Sequence, residues 1–190
     1  MTTKVTPIRE LVLGILLDVL EDNQYSHQVI NQTLKKYQYL DKQDRAFLTR
    51  LAEGTIEQLL HLDYVLDQFS NVKVVKMKPV IRNILRMGVY QILFMDSVPV
   101  SAACNEAVKL AGKKGFGGLK GFVNGVLRGI SRNKEKIKYP EEEKDPVKYL
   151  SVMYSTPEWI IKNWLSEYDD TIVKRILEDS MKERQVSIRC

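Results

Sequence analysis

The spacing of apolar residues constrains the fold of this chain more than any other feature. In the first segment they recur three and four positions apart, on one face of an amphipathic helix: Ile8, Leu11, Val12, Ile15, Leu16 and Val19. Thr6 and Pro7 suit the N-cap and the first position of this helix. The stretch VKVVKM after Asn71 alternates, but it lacks an alternating run to pair with, so we interpret it as a connection. The pattern predicts an all-α protein.

Helical spacing continues through most of the chain, and prolines and glycines mark the ends of the segments. We predict helices over residues 26–36, within residues 41–69, after Pro79, after Pro99 and over residues 122–130. Asp41 suits the cap of the long region, and Gly54 is expected to mark a bend or a close helix contact within it. Together these segments predict a helical bundle over residues 1–134.

The composition changes after Arg132. The run NKEKIKYPEEEKDP holds two prolines and few apolar side chains, so we predict a solvated linker. Three short helices are then expected over residues 147–153, 157–168 and 171–184, so residues 135–190 are predicted to form a small helical connector. The final QVSIRC alternates like a β-strand that stops midway, which predicts that the chain is a fragment of a longer protein.

A glycine-rich basic segment, KKGFGGLKGFVNGVLRGISR at residues 113–132, contains no aspartate or glutamate. Its positive charges are Lys113, Lys114, Lys120, Arg128 and Arg132. The backbone amides of a glycine-rich loop, a helix N-terminus and nearby cations favour anions, and phosphate above all. Lys4 and Arg9 are candidates to extend the same positive face.

Two interpretations of this basic segment remain open. Either it contacts RNA or DNA, or its cations coat an exposed helix face while its glycines cap helices. The lack of acidic residues favours nucleic acid. Asn124 lies close to the apolar positions, so we expect it to be a buried hydrogen-bonding anchor rather than a reader of bases.

The sequence lacks the motifs of a catalytic site. The spacing of Gly115, Gly117 and Gly121 misses the dinucleotide fingerprint by one residue, and a predicted helix rather than a strand precedes it. His27 and His61 have no second histidine or cysteine at the spacing of metal ligands. Carboxylate pairs such as Asp41 with Asp44 and Asp63 with Asp67 are explained by helix capping and ion pairing. We therefore predict no catalytic residue, metal or cofactor in this chain.

Charge and cysteine content narrow the class of protein further. A net charge of +5 and a pI near 9.1 agree with a polyanionic partner. No apolar run approaches the roughly 20 residues that span a bilayer, so no membrane partner is expected. Cys104 and Cys190 do not suggest a disulfide framework, which favours the cytoplasm, and Cys104 is expected in the core.

Three stretches resemble, in order, the all-helical domain of the NusB family: DRAFLTRLAEGTIEQLLHLDYVLDQF, VIRNILRMGVYQILFMDSVPVSAACNEAVKLA and KGFVNGVLRGISR. The tail, STPEWIIKNWLSEYDDTIVKRILEDSMKERQVSIRC, is similar to the segment after this domain in the RsmB (Sun, Fmu) type of ribosomal RNA cytosine-5 methyltransferase. The resemblance implies a NusB-like helical bundle followed by a small helical connector.

It further implies a cytoplasmic protein that methylates carbon 5 of a cytosine in small-subunit ribosomal RNA with S-adenosylmethionine. The catalytic cysteines and the cofactor site of that type lie in a downstream domain, so neither Cys104 nor Cys190 inherits a role. The implied partners are ribosomal RNA and the chain's own downstream methyltransferase domain. The start of the chain is less arginine-rich than that of free NusB. The alternative is a NusB-type transcription antitermination factor without a catalytic domain.

Overall fold

The computed structural model describes residues 8–182. Within that range the chain forms ten α-helices and no β-strand, which confirms the all-α prediction. They are α1 (Ile8–Leu20), α2 (Ser26–Lys36), α3 (Lys42–Glu57), α4 (Leu59–Phe69), α5 (Pro79–Phe94), α6 (Val100–Lys113), α7 (Lys120–Arg132), α8 (Pro146–Met153), α9 (Glu158–Glu167) and α10 (Asp170–Ser180). Lys4, the predicted cap Thr6, Pro7 and the predicted strand at residues 185–190 lie outside the described residues.

The long predicted helix at residues 41–69 is two helices. Asp41 caps the first, because its side chain accepts a hydrogen bond of 2.7 Å from the backbone N–H of Asp44. The break falls at Gln58, whose φ of −90° and ψ of 16° leave the helical region, and not at Gly54, for which a bend was one of two predicted alternatives. Gly54 instead lies against the ring of Tyr90 on α5, which confirms the alternative of a close contact. The VKVVKM stretch is a connection with one 3₁₀ turn at Val74–Lys76.

The core of the first compact unit, Met1–Ile137, is organised around α5. This helix contacts α1, α3, α4, α6 and α7, and its residues are buried almost continuously from Ile81 to Ile92. A helix covered on all sides needs apolar residues all round, which explains the wide apolar face in its sequence. Three polar residues of α5 are nevertheless buried: Asn83, Arg86 and Gln91.

Asn83 and Arg86 are satisfied by a network that joins three helical segments, whereas Gln91 donates to the backbone carbonyl of Met87 at 2.9 Å. Arg86 donates to both carboxylate oxygens of Asp63 on α4, at 2.7 and 2.6 Å, and to the amide oxygen of Asn83 at 3.0 Å. Asn83 donates in turn to Glu21, just beyond α1, at 2.8 Å. Arg82 donates to both oxygens of the same Glu21 carboxylate. Two bidentate arginine–carboxylate pairs therefore fix α1 and α4 against α5.

The Glu21 carboxylate should make the stability of the first unit depend on acid pH. The hydrogen bond from Arg82 lowers the pKa of Glu21 below its ordinary value of 4.5, despite the opposing effect of burial. A group whose pKa is lowered on folding stabilises the fold above its unfolded pKa and loses that contribution as pH falls through the folded value. We expect Glu21→Gln to be less stable than the natural chain at about pH 7, with the difference shrinking below about pH 4. Denaturant unfolding at both pH values checks this, and a pH-independent difference would contradict it.

The second compact unit, Lys138–Cys190, has its own small core. Leu150, Ile161, Val173 and Leu177 are buried there, one or two from each of α8, α9 and α10. Asp145 caps α8 by accepting a hydrogen bond of 3.0 Å from the backbone N–H of Lys148. Of the helices described in either unit, none has the length and apolar character that crossing a membrane requires.

Candidate nucleic-acid interface

The basic segment forms the tight turn from α6 into α7. Gly115 has a φ of +87°, a left-handed conformation that a residue with a Cβ rarely adopts. The backbone N–H of Phe116 then donates to Ala111 at 2.9 Å, and a 3₁₀ turn at Gly117–Leu119 leads into α7. The half-buried Phe116 ring packs on the core. This contact anchors the turn, and the lysines on either side of Phe116 are exposed.

The two lysines at the start of the basic segment share a carboxylate from the other end of the unit. Glu10, in the first turn of α1, forms an ion pair with Lys113 and a second one, of 3.0 Å, with Lys114. The hydrogen bond from Lys113 is the main reason that the pKa of Glu10 is lowered. The basic segment contains no acidic residue, but the fold places the carboxylate of Glu10 next to it. Glu10 therefore offsets part of the positive charge and holds both lysine side chains in place.

The remaining cations follow one exposed face of α7. Lys120, Asn124, Arg128 and Arg132 succeed one another at intervals of four residues, which places them along one stripe of the helix. Asn124 is only half-buried, and its amide oxygen accepts a hydrogen bond of 2.8 Å from Arg128. The predicted hydrogen-bonding role of Asn124 is confirmed, but the prediction that this residue is buried was wrong. Asn124 restrains the guanidinium of Arg128 on the exposed face.

The opposite face of α7 belongs to the core. Val123, Val126, Leu127 and Ile130 are buried, as their spacing predicts. A Cβ on Gly88 of α5 would lie 2.7 Å from the methyl groups of Leu127, so α5 and α7 approach each other closely. This packing fixes the orientation of the helix, and the cationic stripe therefore faces solvent.

Arg9 does not join the lysines of the basic segment. Its Nε donates to the buried Gln91 at 2.8 Å, and its guanidinium lies 5.0 Å from the centre of the Phe47 ring. Desolvation by this environment lowers the pKa of Arg9. Arg9 is thus half-buried. Its neighbour in α1, Glu10, is the residue that contacts the lysines of the basic segment.

Two further predictions concern reactive groups. Cys104 is buried as expected, and desolvation raises the pKa of its thiol, which disfavours the thiolate that nucleophilic chemistry requires. Among residues 8–182, no three histidine, cysteine or acidic side chains are grouped so that they could hold a metal ion. The described surface offers cations and hydrogen-bond donors, which suit the binding of an anionic polymer.

Comparison with known proteins decides the family. The sequence profile of the NusB family matches residues 6–132, which include the whole of α1 to α7. The chain belongs to the NusB family. The resemblance seen in the three sequence stretches is confirmed, and the basic segment is the last part of the NusB domain.

The chain is similar both to ribosomal RNA methyltransferases and to transcription antitermination proteins. The chain is 35% identical over 173 residues to a probable ribosomal RNA small subunit methyltransferase B of Bacillus subtilis, an alignment that covers 91% of the chain and 38% of the methyltransferase. It is 30% identical over 125 residues to a transcription antitermination protein NusB of Ruminiclostridium cellulolyticum, covering 65% of the chain and 86% of that protein. The chain thus spans little more than a third of the methyltransferase.

A solved structure shows the same fold. The complex of the antitermination factors NusB and NusE with double-stranded RNA contains a chain that matches with a TM-score of 0.60 and 19% identity. The match covers 66% of this chain and 93% of the other. The helical bundle predicted from the sequence is therefore a NusB bundle.

Proposed function

We propose that this chain is the RNA-binding N-terminal part of a methyltransferase that modifies carbon 5 of a cytosine in small-subunit ribosomal RNA. The length of the similarity to the Bacillus methyltransferase carries the proposal. That alignment covers 173 of the 190 residues, so it must extend beyond the NusB domain that ends at residue 132. The alignment with the antitermination protein covers only 125 residues. The similarity to the methyltransferase therefore includes residues of the second compact unit.

In this proposal the two parts of the chain have different tasks. Residues 1–134 dock the RNA, and residues 135–190 connect this domain to a catalytic domain in the longer protein. Lys4, Arg9, Lys113, Lys114, Lys120, Arg128 and Arg132 are the proposed RNA-binding residues. Their cations contact phosphates and so set the position of the RNA, while the choice of the base falls to the catalytic domain. The site of action is the cytoplasm, where the ribosomal RNA is found.

The methyl donor of the proposed reaction is S-adenosylmethionine, which supplies an activated methyl group when bound. Residues 8–182 do not fit this cofactor, since a nucleotide-type site needs a glycine-rich turn between a strand and a helix. The described residues contain helices and turns but no strand. We therefore place the cofactor in the longer protein, and this chain's own contribution is to bind and orient the substrate.

The alternative is a transcription antitermination factor of the NusB type. This alternative is favoured because the alignment with the Ruminiclostridium antitermination protein covers 86% of that protein's length. The reading frame beyond Cys190 separates the two functions. A continuation that encodes a glycine-rich strand turn and cysteine motifs supports the methyltransferase, whereas a stop codon supports the factor.

The proposed RNA surface is tested by removing its cations. We expect the basic-segment variant, with Lys113, Lys114, Lys120 and Arg128 all changed to alanine, to bind a structured fragment of small-subunit ribosomal RNA at least about tenfold more weakly at moderate salt. A matched control changes four other exposed cations that make no ion pair with a described residue: Lys35, Lys36, Lys76 and Lys78. Both variants carry the same net charge, so filter binding or fluorescence anisotropy separates the loss of the basic-segment cations from a general effect of net charge. Equal affinities of the two variants would contradict the assignment.

A further inference from the structure

A pocket of about 550 Å³ opens beside the first turn of α1. Phe47 and Met95 give it an apolar lining, and the guanidinium groups of Arg9 and Arg50 add two positive charges. Gln43 and Asp44, at the start of α3, contribute polar groups to the same pocket. It therefore combines an aromatic ring, cations and hydrogen-bonding side chains within the size range of a small-ligand site.

The arginines of this pocket are held in place by the protein. Arg9 is fixed by its hydrogen bond to Gln91 and by a cation–π contact with Phe47, while its two terminal nitrogens donate no hydrogen bond to a described residue. The Nη2 atom of Arg50 donates to the backbone carbonyl of Phe94 at 3.3 Å. A guanidinium that is already oriented loses less conformational entropy when it meets a ligand.

We propose that this pocket binds one unstacked nucleotide of the RNA, a proposal that rests on the RNA-binding function above. A flat base stacks against the plane of Arg9 and contacts Phe47, as unpaired bases commonly do on arginine and aromatic side chains. Asp44 and Gln43 accept hydrogen bonds from the amino group of the base, and the Arg50 cation pairs with its phosphate. A carboxylate side chain of an acidic peptide has no amino group to donate to Asp44 and Gln43.

The pocket and the basic segment both lie beside the first turn of α1. Arg9 lines the pocket, and its neighbour Glu10 holds Lys113 and Lys114 of the basic segment. The first turn of α1 is thus shared by the pocket and the cationic surface. An RNA whose phosphates lie on the basic segment can insert an adjacent unpaired nucleotide, whereas a fully paired duplex has no free base to insert.

Filling the pocket tests the proposal. Ala46 is an exposed residue of α3 that lines the pocket, so Ala46→Trp occupies the space of the base with little effect on the core. The control is Gln32→Trp, at an exposed position on α2 that does not line the pocket. We expect Ala46→Trp to bind RNA containing an unpaired loop about tenfold more weakly than the control, with unchanged affinity for a blunt duplex of equal length. The circular dichroism and melting temperature of both variants verify that they fold.

A second measurement does not depend on a bulky substitution. With 2-aminopurine in the unpaired loop, we expect its fluorescence to change on binding to the natural chain and to change less with Gln43→Ala. If Ala46→Trp binds loop RNA as well as the control does, the pocket proposal is overturned while the RNA surface stands. If the natural chain binds neither RNA, both proposals fall. Binding of a glutamate-rich peptide that Ala46→Trp abolishes, with loop RNA unaffected, would overturn the nucleotide in favour of a protein ligand.

Discussion

Replacing Arg86 with methionine is expected to lower the free energy of unfolding by about 3 to 5 kcal/mol. Arg86 is buried and donates three hydrogen bonds, two to Asp63 and one to Asn83. Methionine keeps much of the volume but leaves the carboxylate of Asp63 and the amide oxygen of Asn83 without their donor. An ion pair of this kind costs most when one partner alone is removed, because the other charge stays partly buried.

The matched control is Arg132→Met, at an exposed position in the last turn of α7. Its effect on stability should stay within about 0.5 kcal/mol. Adding Asp63→Leu to Arg86→Met should recover part of the loss, since the uncompensated carboxylate is then gone. Urea unfolding followed by circular dichroism measures all three variants. If Arg86→Met loses no more than Arg132→Met, the polar network does not hold α4 against α5.

Gly54→Ala is expected to destabilise the protein by about 2 kcal/mol or more. A Cβ at Gly54 would overlap the hydroxyl oxygen and the adjoining ring carbon of Tyr90 and would lie 2.6 Å from a second ring carbon. Tyr90 cannot easily move away, because it is buried and its ring stacks on Phe94 with the two centres 5.4 Å apart. Helices α3 and α5 would have to separate. This cost exceeds the roughly 1 kcal/mol of helix propensity that alanine gains over glycine.

Gly14 provides the matched control on α1. It is an exposed glycine within a helix, and a Cβ there would have no neighbour within 4 Å. Gly14→Ala should therefore raise the free energy of unfolding by about 0.5 to 1 kcal/mol through helix propensity alone. The same substitution thus has opposite signs at the two positions, and thermal unfolding distinguishes them. Stabilisation by Gly54→Ala would show that α3 and α5 can separate there without loss.

The periodicity of the sequence was sufficient to predict the helices but not every boundary. Apolar spacing reports which face of a helix is buried, and it placed α7 correctly, with Val123 and Leu127 inside. It could not show that the chain breaks at Gln58, because apolar residues continue on both sides of that residue. It did mark Gly54 as unusual, but whether a helical glycine bends a helix or admits a neighbour depends on a residue of another helix, here Tyr90.

The sequence indicated which cations belong to the candidate site. It did not indicate that a carboxylate pairs with two of them. Lys113 and Lys114 belong to a segment free of acids, yet the carboxylate that pairs with them is 103 residues from Lys113 in sequence. No local signal connects Glu10 with that segment, since only the packing of α1 beside α6 brings them together. The placement of Arg9 over Phe47 is equally non-local. Long-range pairs of this kind decide which cations remain available to a ligand.

The salt dependence of RNA binding is the most direct test of the proposal that the basic segment binds phosphate. The affinity of the natural chain for a single-stranded region of small-subunit ribosomal RNA should fall with rising salt, with a log–log slope of about 0.7 for each phosphate contacted. In the basic-segment variant that slope should be smaller by about 2 to 3, since up to four contacts are lost, while the control variant keeps the natural slope. Equal slopes for the natural chain and both variants, or binding that does not respond to salt, would contradict the account.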